Sequence, residues 1–218
     1  MDDVSLDRRS ELQKLYLNNM QEIKWRIEAL DEIRFEKKTT RFFQTNIDFC
    51  VVQIRKILEL IALSALVSDA DIYKNKLGKI ETMWNARLIL QDIERIHPEF
   101  YPQPICQDSC DTNHWIDIKD DYLTKDRFIK IYDKCGKMLH ARSQFTDDKT
   151  KNEEYQQTWD SVPQWRSWII ALLNQHIVKL YNQNYLYYIA MKGSDTGHPA
   201  GNIFMKVAEE KPNGQDEI

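Results

Sequence analysis

The stretch RFFQTNIDFCVVQIRKILELIALSALVSD, residues Arg41–Asp69, is the most apolar segment of the chain. From Ile57 to Val67 almost every residue is apolar, and the exceptions are Glu59 and Ser64. A helix that is apolar on all sides has to be surrounded by other elements. The segment therefore predicts a buried central helix and a helical protein built around it.

One side of this predicted helix is polar over its first half. The polar residues recur at spacings close to four and seven, which return to the same side of a helix: Gln44, Asp48, Arg55 and Glu59. Arg55 and Glu59 also form a pair of opposite charge one turn apart. The pair has two interpretations, because buried charges are usually paired. It is an ordinary structural ion pair, or it faces a cleft and orients a functional group.

Size and composition favour one soluble helical domain, with or without an appendage. The chain has 218 residues, and its 6 Gly and 6 Pro are few for a turn-rich β fold. The net charge of −4 gives no overall attraction for nucleic acid, so RNA binding requires a local basic patch.

The start MDDVSLDRRSEL lacks a signal region, and no run approaches the ~18 uncharged apolar residues of a membrane span. With Cys50 and Cys135 among apolar neighbours, we expect a protein of the reducing cytoplasm without membrane contact.

Further helices are predicted on both sides of the central one, and a short helical turn follows Asp69 and ends near Gly78. The helices are a long amphipathic one from Ser5 to about Ile33, then Glu81–Ile96, Thr124–Ala141 and Gln164–Tyr181. Thr39 or Thr40 is the expected N-cap of the central helix, and Thr124 caps its own helix. Pro163 suits the first turn of the last helix.

The C-terminal part of the chain changes character. The segments Tyr185–Met191 and Ile203–Val207 are rich in aromatic and branched residues and flank a glycine-rich interval, which predicts a β-hairpin. Such a hairpin has to pack on the helices or pair with another chain. The segments His97–Asp121 and Arg142–Val162 lack periodicity, and we interpret them as an irregular loop and an exposed connector.

The predicted fold is therefore mainly α, a helical bundle of about five to six helices with a C-terminal β-hairpin. Its predicted parts are a bundle domain over residues 1–183, a hairpin appendage over 184–208 and a flexible tail over 209–218.

The helix TKDRFIKIYDKCGKMLHAR, residues Thr124–Arg142, carries a basic stripe of four residues: Arg127, Lys130, Lys134 and Lys137. Gly136 lies inside this helix, where it costs up to ~1 kcal/mol relative to Ala, and this indicates the close approach of another backbone or of a ligand. His140 follows near the end. A basic patch with one imidazole suits phosphate binding and acid–base chemistry. The alternative is a solvated helix face whose histidine favours the helix dipole.

Two segments, IRKILELIALSAL (Ile54–Leu66) and YDKCGKMLHAR (Tyr132–Arg142), give the middle of the chain a resemblance to the HEPN superfamily. The resemblance implies an α-helical bundle, often dimeric. Many HEPN proteins are metal-independent endoribonucleases of toxin–antitoxin and phage-defence systems, with an Arg followed four to six residues later by a His. Other members are non-catalytic binding modules.

The resemblance assigns His140 as the motif histidine, and Lys134 stands at the distance of the motif arginine, with Arg142 close by. It implies attack of a 2′-hydroxyl on the adjacent phosphate, with His140 as acid or base and Lys134 or Arg142 stabilising the charge, and it implies no cofactor. The expected binding residues are Arg55, Glu59, Asp48, Lys130, Lys137 and Arg127. We expect the Arg55 and Glu59 side of the central helix to face the His140 end of its neighbour.

Two alternatives to an endoribonuclease remain open. One is a non-catalytic HEPN-like module that forms a homodimer or binds a protein partner. The other is a sensor of a nucleotide or other small ligand in a cleft lined by Arg55, Glu59 and Lys134.

The loop between the helices contains Cys106, Cys110 and His114, spaced C-x3-C-x3-H. Thiolates and imidazole are zinc ligands, and a fourth ligand has to come from His97 or Asp111. The alternative interpretation is that these are exposed loop residues without a metal.

Overall fold

A computed structural model of the protein describes residues 4–35, 38–107, 114–140, 147–181 and 184–206. The described chain contains six α-helices: α1 (Leu6–Arg34), α2 (Phe43–Ser68), α3 (Ala70–Leu77), α4 (Ala86–Ile96), α5 (Lys125–Leu139) and α6 (Asp148–Leu173). A short 3-10 turn, Ile80–Thr82, precedes α4. No helix within the described ranges is both long and apolar enough to cross a bilayer.

The predicted central helix is confirmed as α2, which packs against α1, α4, α5 and α6. Its second half is buried on several sides at once, as Ile57, Leu58, Ile61 and Ala62 show. The amphipathic stripe of α1 is also confirmed, since most of its predicted apolar residues are buried: Leu12, Tyr16, Met20, Ile23 and Leu30. These helices form because each hides an apolar face on its neighbours.

The predicted caps are right for one helix and wrong for another. The Thr124 side chain accepts a hydrogen bond from the Arg127 backbone N–H at 3.3 Å, so Thr124 caps α5 as expected. At the start of α2, Phe42 occupies the cap position and makes no side-chain cap bond. The hydroxyl of Thr40 instead donates to the Asn46 carboxamide oxygen at 2.8 Å, which draws the threonine away from the helix end.

The predicted connector Arg142–Val162 and the predicted start of the last helix at Pro163 are wrong. Helix α6 already begins at Asp148, and Asp147 caps it by accepting the Thr150 N–H at 2.8 Å. Pro163 lies inside this helix. A proline there costs roughly 3 kcal/mol locally, but the buried residues Thr158 and Val162 pack into the core before it, so tertiary contacts maintain the helix through the proline.

The C-terminal end of the predicted last helix is also wrong, because Gln175–Lys179 is a strand, β3. Two more strands, β1 (Gln103–Gln107) and β2 (Trp115–Asp117), lie in the segment predicted to be irregular. The predicted hairpin is confirmed as the antiparallel pair β4 (Tyr185–Ala190) and β5 (Ala200–Met205). All five strands form one antiparallel sheet in the order β2-β1-β3-β4-β5, which crosses the predicted boundary after residue 183.

The two faces of the sheet differ. The first face packs on α1: His176, Val178, Tyr187 and Ile189 are buried there, and the Tyr187 hydroxyl donates to the Arg9 carbonyl at 3.0 Å. The pairing register places the alternate residues on the opposite side, called here the second face. Its members in β3, β4 and β5 are Gln175, Ile177, Lys179, Leu186, Tyr188, Ala190, Ala200, Asn202 and Phe204. Ile177 lies on this second face and is half-buried.

Candidate functional site

The contact between α2 and α5 is built on Arg55. Its Nη2 donates a hydrogen bond to the Tyr132 hydroxyl at 3.0 Å, and its guanidinium carbon lies 4.3 Å from the centre of the Tyr132 ring. On the other side, Nε lies 3.2 Å from an oxygen of Glu59. A Cβ built on Gly136 would lie only 3.1 Å from Arg55 Nη1. The sequence predicted the close approach of another backbone or of a ligand at Gly136, and the group that the structure places there is the side chain of Arg55.

The ion pair between Arg55 and Glu59 is mostly withdrawn from solvent, with side-chain exposures of 23% and 16%. Glu59 also accepts a bond from the Lys56 ammonium at 2.8 Å. Shielded charges need such multiple partners to offset the loss of hydration. Arg55 is thus held by Glu59 and Tyr132 in a fixed position where α2 faces α5.

The four residues of the basic stripe of α5 lie in different environments in the structure. Lys130 and Lys137 are exposed, whereas Lys134 is half-buried. Arg127 is committed to packing, because it donates to the Tyr122 carbonyl at 2.7 Å and lies 4.1 Å from the Trp168 ring centre. Of the predicted stripe, Lys130 and Lys137 are the cations most open to a ligand.

His140 lies at the C-terminal end of α5, where its backbone N–H reaches the Lys137 carbonyl at 3.4 Å, and its side chain is exposed. Arg55 contacts α5 at Tyr132 and Gly136, so the contact ends about one turn before His140. The polar side of α2 therefore faces the last turns of α5. Arg142, the third predicted catalytic residue, lies outside the described residues.

The Cys135 thiol, which lies near this contact, has a limited chemical role. Burial raises the pKa of the Cys135 thiol to about 12, despite the opposing charges of Arg55 and Lys134, so this thiol is not a nucleophile at neutral pH. Asp48, predicted as a binding residue, is half-buried on α2 about two turns before Arg55.

The predicted zinc site is only partly within the described chain. Cys106 is exposed on β1, and its Sγ lies 3.7 Å from the Ile116 carbonyl oxygen, while His114 is also exposed. Cys110 and Asp111 lie outside the described residues. His97, the other expected ligand, is buried and bonds through Nε2 to the Lys179 carbonyl at 3.0 Å. Among the residues that can be placed, no group of three or more metal-binding side chains converges.

Two buried polar contacts were not anticipated from the sequence, one between Tyr16 and His176 and one between Asp69 and Tyr181. Tyr16 and His176 are both fully buried, and the Tyr16 hydroxyl lies 2.8 Å from Nε2 of His176. Burial lowers the pKa of His176 to about 4. Asp69 is buried at the start of α3, accepts the Tyr181 N–H at 2.7 Å, and has its pKa raised by burial to about 6. Their partners are distant in sequence, so no local pattern marks them.

A second cluster missed by the sequence lies on the second face of the sheet. Trp115 stacks on Tyr188 with ring centres 5.0 Å apart and an interplanar angle of 11°. Phe204 meets Trp115 edge-on at 5.4 Å. Tyr188 is the one aromatic residue of β4 on this face, since Tyr185 and Tyr187 lie on the first face, and the sequence did not predict the strand at Trp115.

Comparison with protein-family models finds no match to this chain. Neither curated proteins nor solved structures give a match. The function therefore has to be argued from the geometry of the chain itself.

Proposed function

We propose that the chain is a HEPN-like RNA-binding protein that cleaves RNA without a metal ion, as a component of bacterial phage defence or of a toxin system. The observation that carries the proposal is the position of His140, which is exposed at the end of α5 and about one turn beyond the contact of Arg55 with Gly136. Exposed Lys130 and Lys137 lie on the same helix. This arrangement supplies one imidazole, with Lys137 about one turn away as a cation for a phosphate and Lys130 farther along the helix.

The proposed chemistry needs only groups of the protein and of the RNA. A ribose 2′-hydroxyl attacks the adjacent phosphorus, its proton passes to a base, and the 5′-oxygen of the next nucleotide leaves with a proton. The products are a 2′,3′-cyclic phosphate and a free 5′-hydroxyl. His140 moves the proton, because an imidazole is the side-chain group that most often serves as general acid or base. Lys134 stabilises the charge that develops on the phosphate oxygens.

The catalytic part of the proposal is tested with purified full-length protein, total RNA and tRNA, all in EDTA. We expect cleavage to products with cyclic phosphate ends, and a loss of roughly 100-fold or more in His140→Ala, because acid–base groups contribute on that scale. The matched control is His198→Ala, another exposed histidine, whose Nδ1 bonds to Gln21 at 2.9 Å. Equal absence of cleavage in the wild type and in His140→Ala would refute the nuclease.

A second candidate function is a non-catalytic module that forms a homodimer. It is favoured by two exposed apolar side chains on or next to α4, Trp84 and Leu88, which are 71% and 53% exposed. Lys134 in place of the motif arginine also favours it, because an ammonium lacks the paired donors of a guanidinium.

Light scattering after size exclusion tests this second candidate. We expect a dimer that dissociates in Trp84→Ala/Leu88→Ser and persists in Trp25→Ala, since Trp25 is 60% exposed on the separate helix α1. A monomeric wild type at high concentration would count against the dimer and leave the nuclease proposal unaffected.

We also propose a cytoplasmic location. Cys50, Cys106 and Cys135 are free thiols, and the exposed Cys106 is open to oxidation in an oxidising compartment. Exported protein in a cell-fractionation experiment would contradict this location.

A further inference from the structure

The second face of the sheet contains a cavity of about 360 Å3 next to the aromatic cluster. Its floor is formed by two small residues, Ala190 and Ala200, which are paired across β4 and β5. Tyr188 and Asn202, also paired across these strands, line one side, and Gln175 of β3 lines another. This volume is at the lower end of the range for small-ligand sites, which suits a group of the size of one nucleotide.

The wall of the cavity is completed by the loop that joins β4 and β5. A side chain at Gly193 would be crowded, because a Cβ would lie 3.0 Å from the Ala200 Cβ and 3.1 Å from the His198 carbonyl oxygen. The Gly193 N–H donates to that carbonyl at 2.8 Å, which closes the loop over the end of β5. The cavity is thus formed by hydrogen-bonded backbone rather than by a loose surface.

The polar groups of the cavity are two carboxamides. Among the described residues, the side chains of Gln175 and Asn202 make no hydrogen bond to another protein group, and both line the cavity. A carboxamide offers a donor and an acceptor side by side, which matches the edge of a nucleobase. Tyr188 is held by its stack with Trp115 and also lines the cavity.

The charge of the cavity also suits a nucleotide. Lys192 is exposed at its rim, and none of the described residues that line the cavity is acidic. A base between aromatic and carboxamide groups with a lysine at the rim for the phosphate is the arrangement by which antiparallel sheets bind single-stranded RNA.

We propose that this cavity binds one unstacked nucleotide of single-stranded RNA and so positions the strand on the protein. The inference rests on the proposed action on RNA, and it assigns to the sheet a substrate-binding role separate from that of α5. The bound base stacks beside Tyr188, the carboxamides of Gln175 and Asn202 read its edge, and Lys192 contacts its phosphate.

Two substitutions at exposed positions test the cavity without disturbing the core. Ala200→Leu fills it, and Asn202→Ala removes one carboxamide. The matched control is Gln157→Ala, an exposed carboxamide on α6. Binding of the full-length protein to a labelled single-stranded RNA is measured by fluorescence anisotropy in EDTA, with His140→Ala in all proteins to prevent cleavage. We expect Ala200→Leu to weaken binding roughly tenfold because it excludes the stacked base. Asn202→Ala should weaken binding less because it removes only one edge contact, and the control should bind like the parent.

Crosslinking with 4-thiouridine RNA separates failure of this inference from failure of the proposed function. A crosslink in the peptides that carry Trp115 or Tyr188 supports the inference. Crosslinks confined to α5, with unchanged affinity in both cavity variants, overturn it and leave the RNA function standing. Absence of RNA binding altogether overturns both. A free mononucleotide that binds as tightly as the oligonucleotide refutes RNA as the source of the bound nucleotide.

Discussion

The guanidinium of Arg55 occupies the space that a side chain at Gly136 would need, since a Cβ there would lie 3.1 Å from Nη1. The same guanidinium bonds to Tyr132 and pairs with Glu59. The glycine and the arginine are therefore complementary, and they set how closely α2 and α5 approach just before His140.

Gly136→Ala tests this complementarity when it is made in two backgrounds. In Arg55→Ala protein we expect it to stabilise the fold by up to ~1 kcal/mol, because alanine is the better helix former. In the wild type the gain is offset by displacement of Arg55 from Tyr132. Urea denaturation of the four proteins gives the coupling free energy. The same effect of Gly136→Ala in both backgrounds would show that the two residues are not coupled.

Lys134→Arg tests the assignment of Lys134 to the position of the motif arginine. A guanidinium offers a phosphate paired donors that an ammonium lacks, so we expect RNA cleavage to increase roughly tenfold. The control is Lys149→Arg, an exposed lysine on the separate helix α6, which should leave the rate unchanged. Equal rates in all three proteins would remove Lys134 from the proposed mechanism.

Tyr16→Phe should destabilise the protein by about 1–3 kcal/mol, because it leaves a buried ring nitrogen of His176 without a partner. The His176 Nδ1 lies 2.9 Å from the Leu173 carbonyl and must donate to it, so Nε2 accepts from the Tyr16 hydroxyl. The free energy of unfolding from urea denaturation at pH 7.5 measures the cost. An unchanged midpoint would contradict the proposed hydrogen bond.

Because His176 is buried, we also expect the protein to lose stability in acid. Its pKa is lowered to about 4 by burial, so between pH 6.5 and about 4 the unfolded chain binds a proton that the folded chain refuses. The contribution of His176 to the free energy of unfolding is present above pH 6.5 and falls by roughly 3 kcal/mol as the pH drops to 4. His176→Gln should lack this loss when unfolding is followed across that range. A parallel decline in both proteins would assign the acid sensitivity to other groups.

For Asp69 we expect the stability of the fold to depend on pH with the opposite sign. Burial raises its pKa to about 6 from 3.8, so the folded chain binds a proton that the unfolded chain releases between these values. The stability from this group is present below pH 3.8 and is lost as the pH rises to 6, by roughly 3 kcal/mol. Relative to Asp69→Asn, whose amide oxygen can still accept the Tyr181 N–H, the wild type should lose stability over that interval. A constant difference would show that the carboxyl does not titrate as expected.

Local sequence patterns correctly predicted the elements whose conformation depends on residues within one or two helical turns. The apolar run of α2, the stripe of α1 that ends at Leu30 and the Thr124 cap of α5 are of this kind. The hairpin of β4 and β5 was also predictable, because its strands are separated only by a glycine-rich loop. The glycine inside α5 even indicated a close contact, although not the identity of the group that makes it.

Only the tertiary structure decided the features that join distant parts of the chain. Packing of Val162 and its neighbours maintains α6 through Pro163, and pairing with β4 makes a strand of Gln175–Lys179. Arg55 meets Tyr132 across 77 residues, and Tyr16 meets His176 across 160. The physical reason is that periodicity records which face of an element is buried, whereas the partner that covers this face is chosen by the packing of the whole chain.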